Sequence, residues 1–144
     1  ALPIYRRNVH AVFLDAAKAF DRVDHSVLLS MLHRIGIHGA ALSWFHSYLS
    51  GRHIRTRVAG SQSPALPVTS GVPQGSVLGP LLFLIYFKDI PEVTRAVTAL
   101  FADDRLLYRT DCHGSGQDVC CHLQSDLSQL STWAASTSIS VNAA

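Results

Sequence analysis

The sequence predicts an α+β fold, with helices packed on one face of a mainly antiparallel sheet. Two observations favour this class. Short apolar stretches alternate with segments of helical periodicity, and one apolar stretch is followed directly by a second that can pair with it as a hairpin. The 144 residues suit one domain, and no linker or internal repeat divides them. We therefore predict a single domain over residues 1–144.

The first third of the chain predicts one strand followed by two helices. Residues 9–14 are apolar and form a strand that leads into Asp15. Asp24 suits the N-cap of a helix over 25–35, because its carboxylate accepts hydrogen bonds from the unpaired amides of the first turn. Apolar residues at helical spacing predict a second helix over 40–49.

The middle third combines an alternating strand, a loop and an apolar helix. Residues 53–59 alternate with a period of two, which predicts a half-buried strand whose outer face carries Arg55 and Arg57. A loop and a short strand at 68–69 follow. They lead into a helix over 76–88, which we expect the Gly-Pro pair inside it to interrupt.

The last third predicts a hairpin and a long helix. Residues 97–102 form an apolar strand that ends in an aspartate pair, and residues 106–109 return beside it. Apolar residues at helical spacing predict a helix over 117–135. A further strand begins at 138–141.

Composition excludes several classes of protein. With 48% hydrophobic and 15% charged residues, the chain is neither disordered nor a coiled coil. Its longest apolar run is far shorter than the roughly 20 residues that span a membrane, and no secretory leader is visible. Three cysteines make no disulfide framework. We expect an intracellular protein without a signal peptide or transmembrane segment.

The charge is distributed unevenly. Residues 1–60 carry eight Arg or Lys against three Asp, and residues 61–144 carry four against seven acidic residues. Ten of the twelve cations are arginine, whose planar guanidinium suits phosphate. The pattern is compatible with nucleic acid at one end and a metal at the other, and equally with internal charge pairing.

Three carboxylates follow predicted strands: Asp15 after the first, and Asp103 with Asp104 after the hairpin strand. If the two strands are neighbours in one sheet, these side chains converge and repel one another unless cations lie between them. Oxygen ligands suit Mg²⁺, and a pair of such ions supports nucleotidyl transfer. The alternative is ordinary: Asp-Asp is also a common hairpin turn, and Asp15 a cap or a surface charge.

Three segments resemble, in order, the palm motifs of reverse transcriptases from non-LTR (LINE-like) retrotransposons. They are FLDAAKAFD at 13–21, GVPQGSVLGP at 71–80 and FADD at 101–104. The resemblance extends from about Val9 to Asn142. It implies a polymerase palm fold and an RNA-directed DNA polymerase, a nucleotidyltransferase whose partners are an RNA template, a DNA primer and dNTPs.

The resemblance also implies roles for individual residues. Asp15 and Asp103 would hold two Mg²⁺ ions, for which Mn²⁺ is a substitute, with Asp104 and the carbonyl of Ala16 completing the ligand set. The catalytic residues would be Asp15, Asp103 and Asp104. Phe20 would stack under the incoming sugar and collide with a ribose 2′-hydroxyl; by position alone it is an ordinary core residue.

The second motif would lie against the incoming nucleotide through Gln74 and Gly75, although without the other motifs it is simply a Gly/Pro loop. Lys18, Arg55 and Arg57 are candidate contacts to the nucleic-acid backbone, or else solvated surface charges.

A competing group of metal-type ligands lies near the end of the chain. It consists of Cys112, His113, Cys120, Cys121 and His122. Its spacing matches no standard zinc pattern, and its last three members fall inside a predicted helix.

The chain departs from the family at Arg105, where relatives usually carry a small polar residue; this arginine would compete with a cation for Asp104. Compared with the family, we expect incomplete fingers, no thumb, and missing segments supplied by a longer polyprotein. Nuclear localisation follows only from the family. The alternative is a catalytically inactive remnant with a palm fold that binds nucleic acid weakly at most.

Overall fold

The computed structural model describes residues 8–15, 18–101, 104–110 and 116–137. The chain divides into two compact units: Lys18–Phe87 forms one, and Ala1–Ala17 with Lys88–Ala144 forms the other. The strand predicted at 138–141 lies outside the described residues.

The elements follow one another in a mixed order. They are β1 (Val9–Asp15), a 3₁₀ helix (Ala19–Arg22), α1 (His25–Arg34), α2 (Gly39–Leu49), β2 (His53–Ile54), β3 (Arg57–Val58), β4 (Ser61–Gln62), β5 (Leu66–Pro67), α3 (Leu78–Phe87), α4 (Ile90–Val93), β6 (Val97–Phe101), β7 (Asp104–Thr110) and α5 (Gly116–Ser136).

The unit that contains both chain ends is built on a three-stranded antiparallel sheet. Its strand order is β1-β7-β6, so β7 pairs with both neighbours. Arg105 and Leu107 of β7 are buried, whereas Asp104 between β6 and β1 is exposed. Helix α5 packs on β7 and buries Leu123 and Leu130. Helices with an antiparallel sheet confirm the predicted α+β class.

An ion pair joins α5 to β7. Arg109 donates to Asp126 Oδ2 from Nε at 3.0 Å and from a terminal nitrogen at 2.7 Å. The amide of Arg95 donates to the other oxygen, Oδ1, at 3.0 Å. The Asp126 side chain is only 3% exposed and that of Arg109 is 24% exposed. One buried carboxylate therefore fastens the helix to the central strand and to the segment before β6.

The Lys18–Phe87 unit has its core between α1 and α3. Leu28 and Leu32 of α1 and Phe83 and Tyr86 of α3 are buried. Asp24 caps α1 as predicted, because its Oδ1 accepts from the amides of Ser26 at 2.8 Å and Val27 at 3.1 Å. Since these amides have no partner within the helix, the cap fixes where α1 begins.

Helix α3 differs from the prediction of an interrupted helix. It begins at Leu78, so Pro80 lies in its first turn, where an amide has no helical partner to lose. Ser76 supplies the preceding cap, since the Gly79 amide donates to its Oγ at 2.9 Å. The Gly-Pro pair therefore starts the helix and does not break it.

The half-buried strand predicted at 53–59 is wrong. Two residues, β2, pair with β5, and two others, β3, pair with β4. Ala59 and Gly60 both have positive φ and turn the chain back immediately after β3. Because each ladder is only two residues long, the alternation buries no face: Ile54 is 60% exposed and Val58 68%.

Among the described residues, the helices are too short or too polar to cross a lipid bilayer.

Candidate functional site

Two of the predicted catalytic aspartates lie side by side in the sheet. Asp15 is the last residue of β1 and Asp104 the first of β7, and their Cα atoms are register partners in this antiparallel pair. Side chains directly opposite one another in such a pair have Cβ atoms about 4.5–5.5 Å apart. Both aspartates are exposed.

The strand pleat determines which face these carboxylates occupy. In β7, burial alternates from exposed Asp104 to buried Arg105, which is 3% exposed. In β1, Asp15 shares the open face with Phe13, whose side chain is 77% exposed. The carboxylates therefore project from the sheet face that α5 leaves open.

The arrangement is electrostatically unfavourable without a cation. Like charges directly opposite each other on neighbouring strands destabilise a sheet. Carboxylate oxygens that meet at one edge and remain open to solvent are the donor set that Mg²⁺ prefers, since it keeps several waters and takes one or two carboxylates. The two described carboxylates at this edge thus have the donor chemistry that Mg²⁺ takes.

The remaining predicted ligands, Asp103 and Ala16, lie outside the described residues. Within the part of the chain that the structure describes, no three His, Cys, Asp or Glu side chains come together as a metal site. The described contribution to the site is therefore the pair of Asp15 and Asp104.

Arg105 does not face Asp104. The two residues are consecutive in β7, so their side chains point to opposite faces of the sheet. The buried guanidinium lies on the face that α5 covers. Competition between Arg105 and a cation for Asp104, which the sequence suggested, does not follow from this geometry.

A second group of candidate residues assembles within the Lys18–Phe87 unit. The amide of Gly71 donates to the carbonyl of Val23 at 2.8 Å, and the amide of Val72 donates to that of Phe20 at 2.9 Å. A Cβ on Gly71 would lie 2.8 Å from the Cα of Asp21. The start of the second motif is thus held tightly against the segment that follows the first.

Asp21 is a residue that the sequence interpretation left without a role. Its Oδ1 accepts from Gln74 Nε2 at 3.0 Å, and its carbonyl accepts from Ser70 Oγ at 2.8 Å. Asp21 therefore orients the side chain of Gln74, while Gly75 beside it is exposed with φ of +79°. The only sequence signal was the position of Asp21 inside the first motif.

Phe20 belongs to the same group. Its ring is stacked on Phe83 of α3, with centroids 4.0 Å apart and planes 3° from parallel. The residue is half-buried, so one ring face packs on the core while part of the side chain remains accessible. This is compatible both with an ordinary core role and with a support for a sugar.

The candidate backbone-binding cations are all exposed. Lys18 has a left-handed conformation with φ of 54° just before the 3₁₀ helix. Arg57 belongs to β3, and Arg55 to the two-residue connection between β2 and β3.

The competing zinc group is incompletely described. Cys120, Cys121 and His122 are exposed on α5, and the Cys120 sulfur lies 3.9 Å from Nδ1 of His10. Cys112 and His113 lie outside the described residues.

Comparison with known proteins shows the family to which this chain belongs. A family model described as reverse transcriptase (RNA-dependent DNA polymerase) matches residues 4–144. The chain belongs to the reverse transcriptase family. It is 35% identical over 142 residues to a probable RNA-directed DNA polymerase from transposon BS of Drosophila melanogaster, with 92% of this chain covered. It is 34% identical to the mobile element jockey polymerase of Drosophila funebris, with 91% covered.

A relative that matches a shorter part of the chain is the retrovirus-related Pol polyprotein of the type-1 retrotransposable element R2 from Popillia japonica, 38% identical over 116 residues that cover 71% of this chain. These matches confirm the non-LTR retrotransposon relationship that the motifs indicate. The chain spans about 15% of the length of the Drosophila relatives.

Proposed function

We propose that this chain is the palm of an RNA-directed DNA polymerase that adds dNTPs to a primer 3′-hydroxyl on an RNA template. The observation that carries the proposal is the register that sets Asp15 opposite Asp104 on the open face of an antiparallel sheet. Membership of the reverse transcriptase family supports the same activity.

We infer that the site would bind two Mg²⁺ ions, with Mn²⁺ as a substitute. Asp15, Asp103 and Asp104 would hold them, with the carbonyl of Ala16 as a further ligand. When bound, such ions activate an attacking hydroxyl and stabilise the leaving oxygen of an in-line displacement. The contribution of the chain itself is to fix the carboxylates on neighbouring strands, where their orientation follows from the pleat.

The nucleotide would be bound by residues of the second group. Gln74, held by Asp21, and Gly75 would lie against the incoming nucleotide, where the absence of a side chain on Gly75 allows close approach. Phe20, backed by Phe83, would exclude a ribose 2′-hydroxyl. Lys18, Arg55 and Arg57 would contact backbone phosphates.

We also propose a longer protein and a cellular compartment for this chain. Residues 1–144 would act as one partial reverse transcriptase domain, with fingers and thumb segments supplied by a longer polyprotein. Copying RNA into chromosomal DNA would take place in the nucleus.

The direct test is primer extension on an RNA template by the full-length protein in the presence of Mg²⁺. We expect Asp15→Asn and Asp103→Asn each to lower the extension rate by at least about 100-fold, a loss typical when a group that stabilises the transition state is removed. Glu92→Gln is the matched control, because it removes one exposed negative charge from α4, an element that carries none of the proposed ligands.

Extension at equal rates by the wild type and both asparagine variants would contradict the proposed catalytic role. Absence of extension by the wild type itself would favour the inactive remnant.

A further inference from the structure

The Lys18–Phe87 unit contains a long stretch without negative side chains. Residues 25–87 include no Asp or Glu, but four arginines and five histidines. The two carboxylates of the unit lie before this stretch and are engaged: Asp21 binds Gln74, and Asp24 caps α1. Arg52, Arg55 and Arg57 therefore have no acidic neighbour along the sequence, and cations without nearby carboxylates in sequence favour contact with polyanions.

An aromatic platform lies in this stretch, on α2. Trp44 is 52% exposed and stacks on Tyr48, with ring centroids 5.3 Å apart and planes 12° from parallel. Phe45 meets the Trp44 ring edge-on at 5.2 Å. A half-exposed indole held in place by two rings offers a fixed flat surface for a further ring.

Two polar atoms near the end of α2 lack hydrogen-bond partners among the described residues. They are the hydroxyl of Tyr48 and one terminal nitrogen of Arg52, and both are buried. Buried polar atoms are paired in the great majority of cases, so these two donors lack the acceptor that such atoms usually have within the part of the chain that the structure describes.

Exposed arginines continue from this point along the chain. Arg55 and Arg57 follow Arg52 in the short ladders formed by β2 with β5 and β3 with β4. Ile54 and Val58 between them are also exposed. We call Trp44, Tyr48, Arg52, Arg55 and Arg57 the aromatic–arginine surface.

We propose that the aromatic–arginine surface binds single-stranded nucleic acid, with an unpaired base stacked on Trp44 and backbone phosphates on the three arginines. Stacking on aromatic side chains combined with a cationic track is the physical basis of single-strand binding without sequence preference. Bases within a duplex have no free face for Trp44, so the surface selects unpaired strands. The inference deepens the proposed polymerase function by adding a template contact, and it rests on that function for its biological role.

Fluorescence anisotropy of a labelled twelve-nucleotide oligouridine tests this inference, with EDTA present so that no metal site contributes. We expect Trp44→Ala to weaken binding about 5- to 100-fold, the usual effect of losing one stacked base. Arg55→Ala and Arg57→Ala should each lower the slope of log K against log salt by about 0.7. The matched controls are Arg95→Ala, an exposed arginine in the other unit, and Trp133→Phe on α5, and both should bind like the wild type.

A second readout does not depend on how well Trp44→Ala folds. In residues 1–144 carrying Trp133→Phe, Trp44 is the sole tryptophan, and its emission should be quenched by oligouridine but not by duplex RNA. The inference would be overturned if the protein did not bind oligouridine at low salt. It would also be overturned if duplex and single-stranded RNA bound equally well, or if Trp44→Ala bound oligouridine as tightly as the wild type. Failure of the polymerase proposal would appear differently, as absence of primer extension by a protein that still binds oligouridine.

Discussion

At the scale of single residues, Gly71 shows how closely the second motif approaches the first. A Cβ at this position would meet three backbone atoms of Phe20 and Asp21 at 2.8–2.9 Å. Backbone atoms do not move aside as a flexible side-chain end does. The backbone here also has φ of +86°, which favours glycine.

We expect Gly71→Ala to destabilise the protein by about 2–4 kcal/mol, because the left-handed strain of roughly 1 kcal/mol adds to a backbone clash. Gly60→Ala is the matched control: Gly60 has the same φ of +86°, but a Cβ added there would have no other atom within 4 Å. Urea unfolding measures both free energies. Equal losses for the two variants would show that the close approach at Gly71 carries no cost.

Asp24 provides a pH-dependent prediction. The hydrogen bond from the Ser26 side chain, followed by that from the Val27 amide, holds the pKa of Asp24 below its ordinary value of 3.8. A carboxyl with a depressed pKa contributes stability above pH 3.8, and this contribution is lost as the pH falls through the lower, folded-state pKa.

We expect Asp24→Ala to cost about 1 kcal/mol at neutral pH, as removal of an N-cap usually does. Asp24→Asn keeps a capping side chain but cannot titrate, so the stability difference between wild type and Asp24→Asn should shrink below pH 3.8. Thermal unfolding measured from neutral to acidic pH gives the stability of the wild type and of both variants. A difference that grows on acidification would contradict the assigned role.

At the scale of elements, the sequence predicted the strands and helices where one physical signal dominates. Apolar strands that end in aspartate indicated β1 and the β6–β7 hairpin, and Asp24 indicated the start of α1. The prediction of one strand over 53–59 failed because two separate two-residue strands, β2 and β3, show the same alternation of residues as one longer strand. The prediction of an interrupted helix failed because the proline lies in the first turn of α3.

The ion pair between α5 and β7 is a contact between two elements for which the sequence gave little indication. Asp126 lies three residues after Leu123, inside the apolar stripe of α5. An acidic residue in such a position requires a partner. The sequence did not indicate that Arg109 would be that partner, because this depends on how the helix packs on the strand.

We expect Asp126→Ala to destabilise the protein by about 2–3 kcal/mol, because Arg109 then loses its partner in a largely desolvated position. The cost is below that of a fully buried pair because Arg109 is partly solvated. A double-mutant cycle with Arg109→Met measures the coupling, and Ser125→Ala on the exposed side of α5 is the control. Additive losses in the cycle would show that the pair contributes no coupling energy.

In the chain as a whole, the pairing of β1 with β7 brings carboxylates that are distant in sequence together. The sequence supplied the residue types and the idea that two strands are neighbours. The register that pairs Asp15 with Asp104, and the face on which they lie, emerged only from the three-dimensional structure. The support of Gln74 by Asp21 was equally invisible in the sequence, because the two residues are 53 positions apart and it depends on how the chain between them, with α1, α2 and β2–β5, returns the second motif to the first.

Thermal unfolding with and without Mg²⁺ tests whether Asp15 and Asp104 share a metal site. Without metal, Asp15→Asn and Asp104→Asn should be at least as stable as the wild type, because each relieves a like-charge pair. Millimolar Mg²⁺ should raise the Tm of the wild type and of Glu92→Gln but not that of the two asparagine variants, because a ligand stabilises only the state that binds it. An identical Mg²⁺ response in all four proteins would contradict a shared metal site at Asp15 and Asp104.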